Sequence, residues 1–312
     1  MRTDVTPGAV GVDVGGTKIA AGYIGPDGRP IEVGVLPTTP GDGGANLAAV
    51  WALLRQPELS HAAVVGVSMA TTIDEEGRLR DPHGWFGWRG RDLAQALSAD
   101  GRTHVVIADA EAGAVGEHRF GAARGTTRPL YVTAGTGLAH AYLEEGRPLE
   151  GAHRSAYFSG YTTPARCAWE RCDAANVERI SSGTAIAEAY FGDARSDARQ
   201  VFAAAAAGDG RAADVIEHAA WHLGVLIADL MLIYDPEAVV LGGGLGSGGP
   251  GYLERADAVA REHISVEHTR RIPLLRAQLG PASCWAGAAA IARVGGVERA
   301  GVAGDTEGVV LT

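Results

Sequence analysis

The chain has 312 residues, 46% hydrophobic and 21% charged, enough apolar material for two domains with cores of their own. Its 27 basic against 37 acidic residues leave a formal charge of −10, which disfavours non-specific attraction to nucleic acid and argues against DNA binding. Cys167, Cys172 and Cys284 are too few for a disulfide framework, MRTDVTPG carries no apolar core of signal length, and no uninterrupted apolar run reaches a bilayer span. The expected location is therefore the cytoplasm, with no membrane partner.

In chain order, GVDVGGTKIAAGYIGPDG over residues 11–28 reads as strand, glycine turn, strand. Gly15 and Gly16 remove side chains where backbone amides must approach a phosphate, with Thr17 and Lys18 beside them, and Asp13 can hold Mg²⁺ through its water shell. The same segment taken alone also reads as an ordinary glycine-turn hairpin with a surface Asp. A helix follows from Asn46 to Arg55, then the strand AAVVGVSMA, the turn IDEEGRL and the aromatic loop DPHGWFGWRGRDL. The apolar run HVVIADA then delivers Asp109 to the mouth of a strand, with helix-compatible AEAGAVGEHRF behind it. Asp109 can be a helix N-cap, a carboxylate that takes a proton from an attacking hydroxyl, or both.

After GAARGTTRP the pattern restarts as YVTAGTGLAHAYLEEG over residues 131–146, again strand, Thr/Gly turn, strand. Helices are expected near Gly183 to Tyr190 and from Ala212 to Tyr234. The second is long and amphipathic, which assigns Trp221, His222 and Met231 to packing. DPEAVVLGGGLG, residues 235–246, then ends an apolar strand in Gly242, Gly243 and Gly244, a backbone suited to close packing against a flat ligand such as adenine. The glycine-rich tail from Gly295 to Thr312 is read as loosely held. Three glycine turns at strand ends, in this order, predict one bound nucleotide.

The order and wording of these segments resemble the ROK family of sugar kinases and repressors. Beyond the phosphate hairpins, the resemblance rests on DAEAGAVGEHRFGAARG from Asp109, ERISSGTAI from Glu178 and LGPASCWAGAAAIA from Leu279, and it covers most of the chain. It implies an α/β, two-domain, duplicated actin-like (ribonuclease H-like) ATPase fold with the active site in the interdomain cleft. An N-terminal domain over 1–118 would carry the phosphate loop, the acceptor site and the catalytic Asp. A C-terminal domain over 119–312 would carry the second phosphate loop and the adenosine site, its last helix a candidate to pack back on the first domain, with a hinge near Gly121 to Arg128. By resemblance the cofactors are ATP and Mg²⁺ and the assembly is a homodimer. Asp109 is then the catalytic base, Thr17 and the turn Gly135, Thr136, Gly137 contact the transferring phosphate, and Gly242 to Gly244 flank the adenosine. Family repressors add a helix-turn-helix before the phosphate loop, for which MRTDVTPGAV is too short, so a kinase is expected.

Departures from the family pattern collect on the sugar side. Ala108 stands where the family has an Asn whose amide binds sugar hydroxyls. YFSGY supplies Phe158 and Tyr161 where the family has a sugar-binding Glu and a zinc-ligating His. In RCAWERCDAANVERISSG, Asn176 replaces the last zinc-loop cysteine. Cys167 and Cys172 remain as two thiols that only His153 or Asp173 could supplement, and zinc is not expected. Glu178 matches the family's second sugar-binding Glu. Ala70 and Thr71 replace a Pro-Gly turn, and His83 stands near an expected Asn. Trp85, Phe86 and Trp88 form either an apolar substrate wall or interdomain core.

The candidate acceptor residues are therefore Thr71, His83, Ala108, Phe158, Tyr161 and Glu178. Each lost hydrogen-bonding partner removes about 1 to 3 kcal/mol of discrimination for a pyranose, which points to a six-membered carbocycle bearing a hydroxymethyl group. Similarity to the ROK offshoot acting on C7-cyclitols implies ATP-dependent 7-phosphorylation of 2-epi-5-epi-valiolone or a valienol-like acceptor in secondary metabolism. The alternatives are a glucokinase or N-acyl-hexosamine kinase and, in a different class, a catalytically silent sugar sensor.

Overall fold

The computed structural model describes residues 9–71, 73, 79, 84, 86–88, 93–165, 175–194 and 196–302. The chain divides into two compact units, one drawn from Met1–Ala112 with Cys284–Thr312 and the other from Gly113–Ser283. The chain thus passes between units twice, upstream of the Gly121–Arg128 segment and again at Ser283.

In the first unit, β1 (Val10–Val14), β2 (Lys18–Ile24), β3 (Pro30–Pro37), β4 (Val64–Met69) and β5 (Thr103–Ala108) form one sheet in the order β3-β2-β1-β4-β5. β1 runs antiparallel to β2 but parallel to β4, and β4 parallel to β5. β1 is buried along its whole length and β4 along nearly all of it, so both read as unbroken apolar runs rather than alternating ones. Helix α1 (Gly43–Leu54) begins three residues before the expected Asn46, because the Asp42 carboxylate accepts the Ala45 N–H at 2.9 Å and caps it there. Helix α2 (Leu93–Leu97) precedes β5, and α3 (Asp109–Phe120) leaves it directly.

Phe86 and Trp88 stack 6.2 Å apart and belong to this unit's core, with Trp88 Nε1 donating to the Gly43 carbonyl at 2.7 Å. They are therefore core residues, not a substrate wall. Trp85 and His83 lie outside the described residues. Helix α11 (Ser283–Val302) lies on the same sheet: a Cβ at Gly11 or Gly66 would run into its main chain at Trp285 or Ala288, so only glycine permits this approach. α11 is helical to Val302, where composition suggested a loose tail from Gly295 onward; residues 303–312 are outside the description.

The second unit repeats the plan. β6 (Pro129–Ala134), β7 (Leu138–Glu144), β8 (Arg147–Pro148), β9 (Ala238–Gly242) and β10 (Leu274–Arg276) lie in the order β10-β9-β6-β7-β8. Taken from β8, the sequence of antiparallel and then parallel pairings is the one met from β3 in the first unit. This is the duplicated actin-like architecture expected of the sequence. Around the sheet stand α4 (Glu178–Ser181), α5 (Gly183–Phe191), α6 (Ala198–Ala206), α7 (Gly210–Tyr234), α8 (Gly243–Gly248), α9 (Tyr252–His263) and α10 (Glu267–Arg270).

α7 is long and apolar enough to cross a membrane, yet 56% of its most apolar window is buried, as befits a core helix with His222 and Met231 inside. Glu117, on α3, is fully buried and accepts four hydrogen bonds, from the N–H groups of Ala122, Gln278 and Leu279 and from Ser283 Oγ, at 2.7 to 3.0 Å. Its charge is held by donors from two distant stretches of chain.

Candidate active site

In the first unit, the parallel strands β1, β4 and β5 are paired so that Val14, Met69 and Ala108 lie side by side at their C-terminal ends. Open α/β sheets present their ligand-binding residues at this edge. Asp13 sits one residue from the end of β1, opposite Ser68 of β4. The fully buried Ser68 hydroxyl donates to Asp13 Oδ1 at 2.8 Å. Burial pushes the Asp13 carboxyl up to about 6, against the Ser68 hydrogen bond and the field of Lys18, which lower it.

Asp109 is the first residue of α3, immediately beyond β5. Its Oδ1 accepts the neighbouring Ala110 N–H at 2.8 Å, so the carboxylate does bond to the helix start. Burial first, and the charge of Asp13 second, raise its carboxyl to about 7. Two carboxylates thus share one sheet edge, Asp13 closely enough to resist the ionisation of Asp109. Cys284, from α11, donates its thiol to the Asp109 carbonyl at 3.5 Å, and burial and then the two carboxylates hold that thiol protonated. The glycine turn between β1 and β2 closes with Gly15 N–H to the Lys18 carbonyl at 2.9 Å, and Thr38 Oγ1 fixes the Gly15 carbonyl at 2.7 Å. Thr17 is exposed at its tip, Thr71 is half-buried just past β4, and Ala108 presents a buried methyl beside the catalytic candidate.

In the second unit the corresponding edge carries the turn Gly135, Thr136, Gly137 between β6 and β7, with Thr136 exposed. The Gly242–Gly244 turn ends β9 beside it. Gly243 has φ +77° and a Cβ there would collide with the Ala134 carbonyl, so this glycine is demanded by packing of the turn on β6, whatever lies above it. Gly244 is exposed with open space around it.

Phe158 and Tyr161 meet edge to face at 5.4 Å, and Phe158 also packs on Tyr157 at 4.5 Å. Burial and the nearby Glu178 charge both raise the Tyr161 phenol. Three acceptor candidates, Phe158, Tyr161 and Glu178, are therefore gathered in one place. Thr71 and Ala108 belong to the first unit's edge, and His83, Cys167, Cys172 and Asp173 fall outside the described residues. Ser68 and Thr184 were not singled out from the sequence. The only signal for Ser68 is a hydroxyl closing the otherwise apolar strand VVGVSM, at the register position of Asp13.

A family model described as "ROK family" matches residues 9–294. Among curated proteins, the glucokinase of Halalkalibacterium halodurans is 29% identical over 78% of this chain and 82% of its own length. An N-acetylmannosamine kinase of Escherichia coli is 32% identical over 82% of this chain and 89% of its own. Among solved structures, a ROK family glucokinase from Streptomyces griseus in complex with glucose and AMPPNP superposes with a TM-score of 0.78 at 27% identity, covering 92% of this chain and 99% of that one.

Proposed function

We propose, for a chain that belongs to the ROK family and is a sugar-kinase phosphotransferase, that ATP is the donor and that the acceptor is a cyclic polyol bearing a primary hydroxyl. The observation that carries this reading is Asp109, a carboxylate at the end of a parallel strand whose proton affinity burial and Asp13 have raised to about 7. A group poised there takes a proton near neutral pH far more readily than an ordinary aspartate does. Asp109 accepts the hydrogen of the acceptor hydroxyl as that oxygen bonds to the γ-phosphorus, the bond to the β,γ-bridging oxygen breaks, and ADP leaves. No covalent intermediate on the protein is required.

Two buried carboxylates, Asp109 raised further by the charge of Asp13, form an electronegative oxygen site, which suits a hard divalent cation such as Mg²⁺. Asp13, oriented by Ser68, would hold its water shell, and the ion when bound would neutralise phosphate charge. Thr17 and the two glycine turns supply hydroxyls and backbone amides for the phosphates.

For the acceptor we favour a C7-cyclitol, 2-epi-5-epi-valiolone or a valienol-like relative, phosphorylated at the 7-hydroxyl. The buried Ala108 methyl of the first unit and the Phe158 ring of the second each lack a hydrogen-bonding group for a hydroxyl-rich pyranose, which favours a ring without an anomeric hydroxyl. Retention of Glu178 favours a second reading, a glucokinase or an N-acyl-hexosamine kinase like the relatives named above. A comparison of kcat/KM for 2-epi-5-epi-valiolone, valienol, glucose, N-acetylglucosamine and N-acetylmannosamine separates them. A preference of at least about 100-fold for the cyclitols is expected, because two lost hydrogen bonds of roughly 1.4 kcal/mol each correspond to that ratio. A higher value for any hexose overturns the cyclitol assignment and leaves the kinase intact.

A further inference from the structure

The second phosphate turn is fastened from beneath by a single short stretch of chain. Gly135 closes the turn with its N–H on the Gly137 carbonyl at 2.9 Å. The Gly183 N–H, at the start of α5, donates to the Gly135 carbonyl at 2.6 Å, and Thr184 Oγ1 donates to the Thr136 carbonyl at 2.8 Å. On the other side, the Leu138 N–H, first after the turn, donates to Glu178 Oε2 at 2.8 Å. That carboxylate lies so close to Gly137 that a Cβ there would be 2.8 Å from it. Gly135, Thr136 and Leu138 are thus hydrogen-bonded to residues 178–184, and Gly137 lies against Glu178.

This stretch is itself anchored. Ser181 Oγ donates to the Ala219 carbonyl of α7 at 2.9 Å, the Tyr252 hydroxyl donates to the Ser181 carbonyl at 2.7 Å, and Ser182 Oγ caps α5 at the Ala185 N–H, 3.1 Å away. Ser181, Ser182 and Tyr252 are all buried. The turn therefore inherits its geometry from the core through the Gly183 amide and two side chains, Glu178 and Thr184. Without them the Thr136 carbonyl and the Leu138 amide lose their side-chain partners, and three glycine-rich residues regain backbone freedom that nucleotide binding would have to remove.

We propose that Glu178 and Thr184 are positioning residues for the nucleotide, holding the Gly135–Gly137 turn in its phosphate-binding shape. Among the described residues, the second oxygen of Glu178 has no hydrogen-bond partner, so the carboxylate braces the turn through Oε2 while its charge also reaches the Tyr161 phenol. Glu178 then links the acceptor side of the unit to its phosphate side. This inference rests on the kinase reading, and the experiment separates the two.

The test is ADP binding to the full-length protein by isothermal titration calorimetry, with no acceptor present, alongside steady-state kinetics. Glu178→Ala is expected to weaken ADP binding about tenfold, the loss of roughly one charge-assisted hydrogen bond. Glu178→Gln keeps a carbonyl to accept the Leu138 N–H, and is expected to hold ADP within about twofold of wild type while raising the acceptor KM. Thr184→Val, which leaves Glu178 in place, is expected to weaken ADP binding several-fold without changing the acceptor KM, and it serves if Glu178→Ala does not fold. Wild-type ADP affinity in both Glu178→Ala and Thr184→Val, with only acceptor KM changed in the former, overturns the inference and leaves the kinase reading standing. Failure of the wild-type protein itself to bind ADP overturns both.

Discussion

Replacing Asp109 by Asn should slow turnover by about 10² to 10⁴ and yet stabilise the unliganded protein at pH 8. The Asp109 carboxyl is raised from 3.8 to about 7 in the folded chain, so the folded state binds its proton more tightly than the unfolded state does. For an acid shifted upward, that contribution to stability is fully present below the unfolded pKa, near 4. It is lost as the pH rises, and above about 7 both states are ionised and the full penalty for the buried charge applies. A shift of about three units corresponds to roughly 4 kcal/mol, and because the side chain is only half-buried, screening reduces this to about 2 to 4 kcal/mol. Asn removes the charge and keeps the shape.

Urea or thermal unfolding of wild type and Asp109→Asn in EDTA, at pH 4.5 and pH 8, reads the effect. At pH 8 the variant should be the more stable, by several degrees in Tm. At pH 4.5 the gap should shrink to about a quarter of its pH 8 value. A variant equally stable or less stable than wild type at pH 8 would refute the argument that Asp109 carries a strained charge.

Other expectations follow from the same contacts. With Asp109 as base, kcat/KM should fall about tenfold per pH unit below a pH near 7, and a profile flat down to pH 5 would contradict that role. Glu117→Ala leaves four donors without their acceptor in a buried place, so thermal unfolding should show a loss of about 4 kcal/mol or more, with Glu117→Gln milder. Gly243→Ala, at φ +77° and against the Ala134 carbonyl, should lower stability by about 1 to 3 kcal/mol in a urea titration and weaken ADP binding.

The duplicated plan was legible because glycine turns and apolar runs recur in the same order, and both phosphate turns fall at strand ends as their wording implies. Asp109 could be placed because VVIA is uniformly apolar and the helix-compatible run begins at once. The aromatic loop was harder. Phe86 and Trp88 look alike as wall or core until Trp88 Nε1 is seen to bond Gly43, a residue 45 positions away.

Long-range partners were the hidden part of the site. Ser68 is 55 residues from Asp13, and a serine at a strand end carries no local signal of its own. Glu178 could be matched to an acceptor role by resemblance, but its bond to Leu138 spans 40 residues and arises only from the folding of α4 beneath the turn. The start of α1 was missed by three residues for a local reason, since the Asp42 side chain caps the helix ahead of the apolar run that follows Asn46.

The most direct test of the account is to incubate the protein with ATP, Mg²⁺ and each candidate acceptor, wild type beside Asp109→Ala, and to identify the product by ³¹P–¹H correlation NMR. The account predicts a phosphate coupled to the two protons of a hydroxymethyl carbon on a cyclic acceptor, formed about 10² to 10⁴ times more slowly by Asp109→Ala. A phosphate on a ring methine hydroxyl, product formation indifferent to Asp109, or no phosphorylated acceptor at all would contradict it.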